Sequence, residues 1–160
     1  KLRTRRHYAD QHQKSSFNGL EISRKYFDEN GKKVNLANVV QGQIIVATIS
    51  IKSQKDTIHN LVIVDLLPGG FEIENPRLAS RGNLKFQPEM NMSLGYQDIR
   101  DDRILMFLDE VNTSQSFSYT LRAVIPGRFT IPNIYAEAMY DSNINGEEYE
   151  KDLLVIIPNN

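Results

Sequence analysis

From Phe17 onward the chain reads as one strand-patterned segment after another, and no sustained helical period separates them. Successive side chains on a strand point to opposite faces, so period-two alternation marks elements that bury one face only. Between Gln43 and Lys52, Ile45, Ala47, Ile49 and Ile51 share one face while Thr48 and Ser50 take the other. Phe117, Tyr119, Leu121, Ala123 and Ile125 alternate with Ser118, Thr120, Arg122 and Val124 in the same way. Further strands are predicted at 20–27, 58–67, 103–108, 127–131, 134–139 and 152–157. Segment 58–67 is apolar almost throughout, as a central or doubly covered strand would be. Asp28-Glu29-Asn30-Gly31 carries the Asn-Gly signal of a tight hairpin, where a positive φ is needed. Val and Ile together number 25 against seven Ala, a balance that suits strands. Seven or eight one-faced strands with antiparallel turn chemistry predict an all-β fold, an antiparallel two-sheet β-sandwich.

Two segments depart from that pattern. Residues 1–16 carry Lys1, Arg3, Arg5, Arg6 and Lys14 against Asp10 and show little apolar periodicity, so they read as a basic linker from an upstream domain. A phosphate-binding tail is the sharper reading, but no second basic cluster extends such a surface. Residues 68–102, from Pro68 to Asp102, hold no convincing strand and are too long for a passive connector. A short helix near 75–84 and a long crossing loop are expected there. The remainder, 17–160, is read as a single domain, a size that supports a sizeable core. Its final apolar strand, followed only by Pro158-Asn159-Asn160, reads as a C-terminus, so the chain is expected to be the last domain of a longer protein.

Composition narrows the chemistry. A net charge of −1 gives no reason to expect nucleic-acid binding. With no Cys, the chain has no thiolate nucleophile, zinc-thiolate site or thioester of its own. No apolar run approaches the roughly 18 residues that span a bilayer. Of the three histidines, His7 and His12 fall in the basic arm and His59 at a strand start, none with a helical i,i+4 partner. No Gly-x-Ser-x-Gly elbow presents a serine. Glu72 and Glu74 share a strand face and are too crowded to serve as acid and nucleophile. Asp101-Asp102-Arg103 reads as an ion-paired loop anchor, with calcium binding through Asp98, Asp101 and Asp102 as the alternative. Pro68-Gly69-Gly70 lacks the phosphate-loop spacing, and its glycines suit a tight bend instead. The residues alone therefore point to a non-catalytic sandwich without cofactor or metal.

Longer strings are more specific. Val64-Asp65-Leu66-Leu67-Pro68-Gly69-Gly70-Phe71-Glu72-Ile73-Glu74-Asn75-Pro76-Arg77-Leu78 resembles a signature of the C-terminal macroglobulin domain of bacterial alpha-2-macroglobulins. Asp101-Asp102-Arg103 follows in the same order. Then comes Leu121-Arg122-Ala123-Val124-Ile125-Pro126-Gly127-Arg128-Phe129-Thr130-Ile131-Pro132, leading into Tyr135-Ala136-Glu137-Ala138-Met139-Tyr140-Asp141. The resemblance covers roughly residues 17–158 and implies a macroglobulin or fibronectin-III-like sandwich corresponding to the receptor-binding domain of the animal relatives.

It also implies a parent that traps proteinases. Bait cleavage triggers a rearrangement, and a Cys–Gln thioester on an upstream α-helical domain then acylates the attacker. Partners implied are that thioester domain, the other macroglobulin domains of the same chain and, through the parent, target proteinases. The compartment implied is the periplasm or cell envelope, with membrane contact only through a lipid anchor on the parent. In that family a Met-Tyr pair on this domain covers the thioester, and it matches Met139 and Tyr140 here. Ser142 stands where proline is commoner. Two competing readings are a structural or adhesive module that binds a cell-surface ligand through residues 68–102, and a calcium-dependent or carbohydrate-active module. The adhesive reading expects Met139 and Tyr140 to be buried.

Overall fold

The computed structural model describes residues 14–54, 57–74, 86 and 90–159 of the 160-residue chain. Thirteen strands lie among them: β1 (Ser16–Asn18), β2 (Leu20–Phe27), β3 (Val39–Val40), β4 (Ile44–Ser53), β5 (Ile58–Leu66), β6 (Phe71–Ile73) and β7 (Tyr96–Ile99). The second half supplies β8 (Arg103–Val111), β9 (Ser114–Ala123), β10 (Gly127–Thr130), β11 (Ile134–Ala138), β12 (Asp141–Glu148) and β13 (Leu153–Ile157). They form a six-stranded sheet in the order β1-β12-β11-β5-β8-β7 and a four-stranded sheet in the order β2-β4-β9-β6. A three-stranded sheet, β10-β13-β3, adds a parallel pairing, between β13 and β3.

Alternation builds the core. Ile45, Ala47, Ile49 and Ile51 of β4 are fully buried, with Thr48 and Ser50 half-buried on the other face. From the facing sheet, Leu61 and Ile63 of β5, Ile104, Met106 and Leu108 of β8, and Ile134, Ala136 and Ala138 of β11 complete one continuous apolar cluster. Burying a branched side chain of this kind contributes about 1.5–3 kcal/mol, which is why pattern dictates register. β5 does sit inside its sheet, between β11 and β8. Its outward residues Val62 and Val64 are only half-buried, so it is central without being doubly covered.

The antiparallel sandwich expected from the sequence is present, with more and shorter strands than the seven or eight counted from patterning. Residues 68–102 hold two strands that the sequence did not suggest. β6 is three residues long, and β7 lies at a sheet edge with little burial to write a pattern. The expected helix at 75–84 falls outside the described residues. At the first hairpin only Gly31 takes a positive φ, of 82°, and Asp28 Oδ1 accepts from the backbone N–H groups of Asn30 and Lys32. The turn is therefore wider than a two-residue connection.

The Pro68-Gly69-Gly70 bend has a definite cause. Gly70 has φ of 87°, and a Cβ placed there would lie 2.5 Å from Phe129 Cε2. A side chain at this point would oppose both the backbone conformation and the ring packed against it.

Candidate functional site

Met139 and Tyr140 form the turn between β11 and β12 at one end of the six-stranded sheet. β11 is anchored by Ile134, Ala136 and Ala138, which face the core, and Ala138 pairs with Leu61 and with Asp141. The next pairing, Glu137 with Asn145, leaves Ser142, Asn143 and Ile144 looped out of the ladder. This irregular tip is tied down locally. Asp141 Oδ1 accepts from the backbone N–H of Asn143 at 3.1 Å, and Asn145 Nδ2 donates to the Ser142 carbonyl at 2.9 Å. Met139 N–H donates to the Asn60 carbonyl at 2.8 Å, and Asn60 holds the left-handed conformation with φ of 53°. The result is a buttressed hairpin that presents two large side chains outward. Met139 is 52% exposed and Tyr140 83% exposed.

The other candidates from the sequence do not converge. His59 is an exposed β5 residue opposite Glu110, while His7 and His12 lie outside the described residues. Asp98 pairs with Arg100 at 2.9 Å, and Asp102 lies 3.7 Å from Arg103. Glu74 pairs with Arg122 across the β6–β9 edge. Among the described residues no three His, Asp or Glu side chains come together as a metal-binding group.

A polar cluster that sequence reasoning passed over lies inside the sandwich. Asp65 of β5 is completely buried and accepts hydrogen bonds from Arg24 of β2 and, at 2.5 Å, from the Tyr119 hydroxyl of β9. Arg24 also donates to the carbonyls of Leu66 and Pro132, and its backbone N–H donates to Glu148 at 2.6 Å. Its guanidinium carbon lies 5.5 Å from the centre of the Tyr26 ring, whose buried hydroxyl has no hydrogen-bond partner among the described residues. Burial pushes the Asp65 carboxyl above its usual range, and the Arg24 charge with the two hydrogen bonds pulls it back. Arg24 and Tyr119 come from the four-stranded sheet and Asp65 from the six-stranded one, so this triad clamps the two large sheets together. The signal was present in the pattern: Arg24 keeps phase with Leu20, Ile22 and Tyr26, and Asp65 with Leu61 and Ile63.

Comparison with known proteins agrees with this architecture. Residues 19–143 match the family model described as the bacterial alpha-2-macroglobulin MG10 domain. An alpha-2-macroglobulin homolog of Yersinia pestis is 33% identical over 159 residues, covering 88% of this chain and 8% of its own length. The alpha-2-macroglobulin of Rickettsia conorii is 37% identical over 124 residues, covering 77% of this chain and 6% of its own. Among solved structures, Escherichia coli alpha-2-macroglobulin activated by porcine elastase superposes with a TM-score of 0.84 at 26% identity. That match covers 94% of this chain and 14% of the other. The chain thus corresponds to a small part of much longer relatives. With family model, relatives and sandwich in agreement, the chain belongs to the bacterial alpha-2-macroglobulin family, as a macroglobulin domain.

Proposed function

We propose that this domain serves a longer proteinase-trapping inhibitor as a non-catalytic cover, with Met139 and Tyr140 shielding a thioester carried by a neighbouring domain of the same chain. The observation that carries this reading is the exposure of both side chains on a buttressed tip. Large apolar groups held out from a fold are poised to be buried against something else. Docking the pair would contribute up to about 3 kcal/mol for each side chain. A thioester persists only where water and small amines are kept away. A pliable thioether beside an aromatic ring suits a close-fitting lid. Exposure of the pair also weighs against the adhesive-module reading, which expected it inside the core. The periplasm or cell envelope is the compartment that goes with this role, with the other macroglobulin domains of the parent as neighbours.

The test is thiol release from the full-length parent on methylamine treatment, comparing wild type with Tyr140→Gly. Faster release in the variant is expected. Equal rates would keep the thioester but remove Tyr140 from its protection. No release in either protein would refute the shielding role outright. Hydrolase turnover by the 160-residue chain would count against the non-catalytic reading.

A further inference from the structure

The alternation of β5 breaks once. Ile58, Leu61, Ile63 and Asp65 are buried, so the first interval is three residues where each later one is two. An extended strand puts residues three apart on opposite faces, so a residue between Ile58 and Leu61 has to leave the extended conformation. That residue is Asn60, with φ of 53°, the one non-glycine at positive φ among the described residues. β8 shows the same three-residue interval opposite, from Leu108 to Val111. The pairing of the two strands passes from His59–Glu110 to Leu61–Leu108 with no residue inserted, and it skips Asn60.

The consequence reaches the neighbouring strand. β11 pairs with β5 from Ile134 opposite Asp65 to Ala138 opposite Leu61, and there the ladder stops. Met139 is the next residue, and its N–H donates to the Asn60 carbonyl at 2.8 Å. Ala138 pairs with Asp141 on its other side, so Met139 and Tyr140 make up the whole turn. Among the described residues, no other hydrogen bond from Met139 or Tyr140 reaches a neighbouring strand. The direction of the Asn60 carbonyl therefore decides where the turn is held, and the left-handed backbone sets that direction. Glycine takes this conformation freely, Asn tolerates it better than most other residues, and β-branched side chains oppose it most. Such conformations persist where the surroundings require them, and they gather at functional sites.

We propose that Asn60 is a positioning residue for the exposed pair: its left-handed backbone aims the carbonyl that holds Met139, and through Met139 it sets how Tyr140 is presented. The consequence for thioester protection rests on the shielding role, whereas the placement of the turn does not. What matters at position 60 is then the backbone and not the amide side chain, which is exposed. Gly and Ala differ by one methyl group but stand on opposite sides of Asn in their tolerance of positive φ. That pair separates a backbone role from a side-chain one.

Asn60→Gly, Asn60→Ala and Asn60→Val are compared with wild type in two measurements. On the 160-residue chain, nuclear magnetic resonance reads the scalar coupling across the hydrogen bond between the Met139 nitrogen and the carbonyl carbon of residue 60. The coupling should persist in Asn60→Gly, weaken in Asn60→Ala and vanish in Asn60→Val. Exchange of the Met139 amide in Asn60→Val should speed up by about 2- to 10-fold. On the full-length parent, thiol release on methylamine treatment should stay at the wild-type rate in Asn60→Gly and rise through Asn60→Ala to Asn60→Val. Ile58→Ala loosens the same stretch of core without touching residue 60, and it should release at the wild-type rate. Should Asn60→Val fold poorly, Asn60→Gly against Asn60→Ala still gives the ordering. Coupling that survives undiminished in Asn60→Ala and Asn60→Val would overturn the proposal. So would release from Ile58→Ala as fast as from Asn60→Val, since a loosened core would then be the cause. Tyr140→Gly separates the two readings: faster release there with no change in Asn60→Val overturns the positioning role and leaves the shielding standing. No change in Tyr140→Gly removes the shielding, and the coupling alone then decides the placement of the turn.

Discussion

Asp65→Ala is the sharpest probe of what holds the two large sheets together. Asp65 is the counter-charge to Arg24, and both are buried. Removing one partner of a buried pair strands the other, at about 3–5 kcal/mol. The Tyr119 hydroxyl loses its acceptor as well, a further cost of about 1–3 kcal/mol. The two share one acceptor and do not add fully, so a loss of about 4–6 kcal/mol is expected, much of a domain's total stability. Urea unfolding of the 160-residue chain followed by circular dichroism measures it, and the midpoint temperature should fall by about 10–20 °C. The companion variant Arg24→Met/Asp65→Leu/Tyr119→Phe replaces the whole triad with apolar groups. It should recover most of the loss, because the penalty in the single variant comes from an uncompensated charge rather than from missing attraction. A loss below about 1 kcal/mol in Asp65→Ala, or a triple variant no more stable than the single one, would refute this reasoning.

Three further expectations follow from the same structure. Tyr26→Phe removes a buried hydroxyl that has no partner among the described residues and should stabilise the chain by about 1 kcal/mol in the same urea assay. Gly70→Ala should cost about 2–4 kcal/mol, and Gly42→Ala only about 1, because both have φ of 87° but a Cβ at Gly42 meets nothing within 4 Å. The difference between those two reads the contacts with Phe129 and Ile156. The Tyr135 phenol is pushed up to about 12, first by its hydrogen bond to Glu137. Its folded value lies above the unfolded one, so its contribution is complete below pH 10 and lost between 10 and 12. Ultraviolet titration of Tyr135→Phe should lack one phenolate step near 12.

How much of this fold could be read in advance tracks how much burial each strand carries. β4 and β9 are ten residues each, with one face in the core, and alternation writes them plainly into the sequence. β12 reads Asp-Ser-Asn-Ile-Asn-Gly-Glu-Glu, and only Gly146 in it is fully buried. Its place comes from pairing with β11 on one side and β1 on the other, a tertiary cause that leaves no local pattern. β6 and β7 are short for the same reason: their neighbours define them more than their own residues do. The Gly69-Gly70 bend was legible as a bend, but the ring that requires it lies some sixty residues away at Phe129.

The candidate site divides along a different line. That Met139 and Tyr140 stood out at all came from resemblance, because a Met-Tyr pair after an apolar strand is equally consistent with a core cap. Their outward presentation depends on the three residues looped out of β12 and on the left-handed Asn60 carbonyl, neither of which has a sequence signature of its own. The Arg24–Asp65–Tyr119 clamp is the opposite case: Arg24 and Asp65 sit in the buried phase of their strands, but neither strand alone shows that they meet. Charged residues in the buried phase of two different strands are costly unless they meet, so one such residue is a reason to look for the other. With that clamp placed within the core, the stability of the sandwich does not rest on the exposed hairpin tip. A substitution at Tyr140 should therefore leave the stability of this domain within about 0.5 kcal/mol, so that any change in thiol release from the parent reads the proposed shielding and not unfolding.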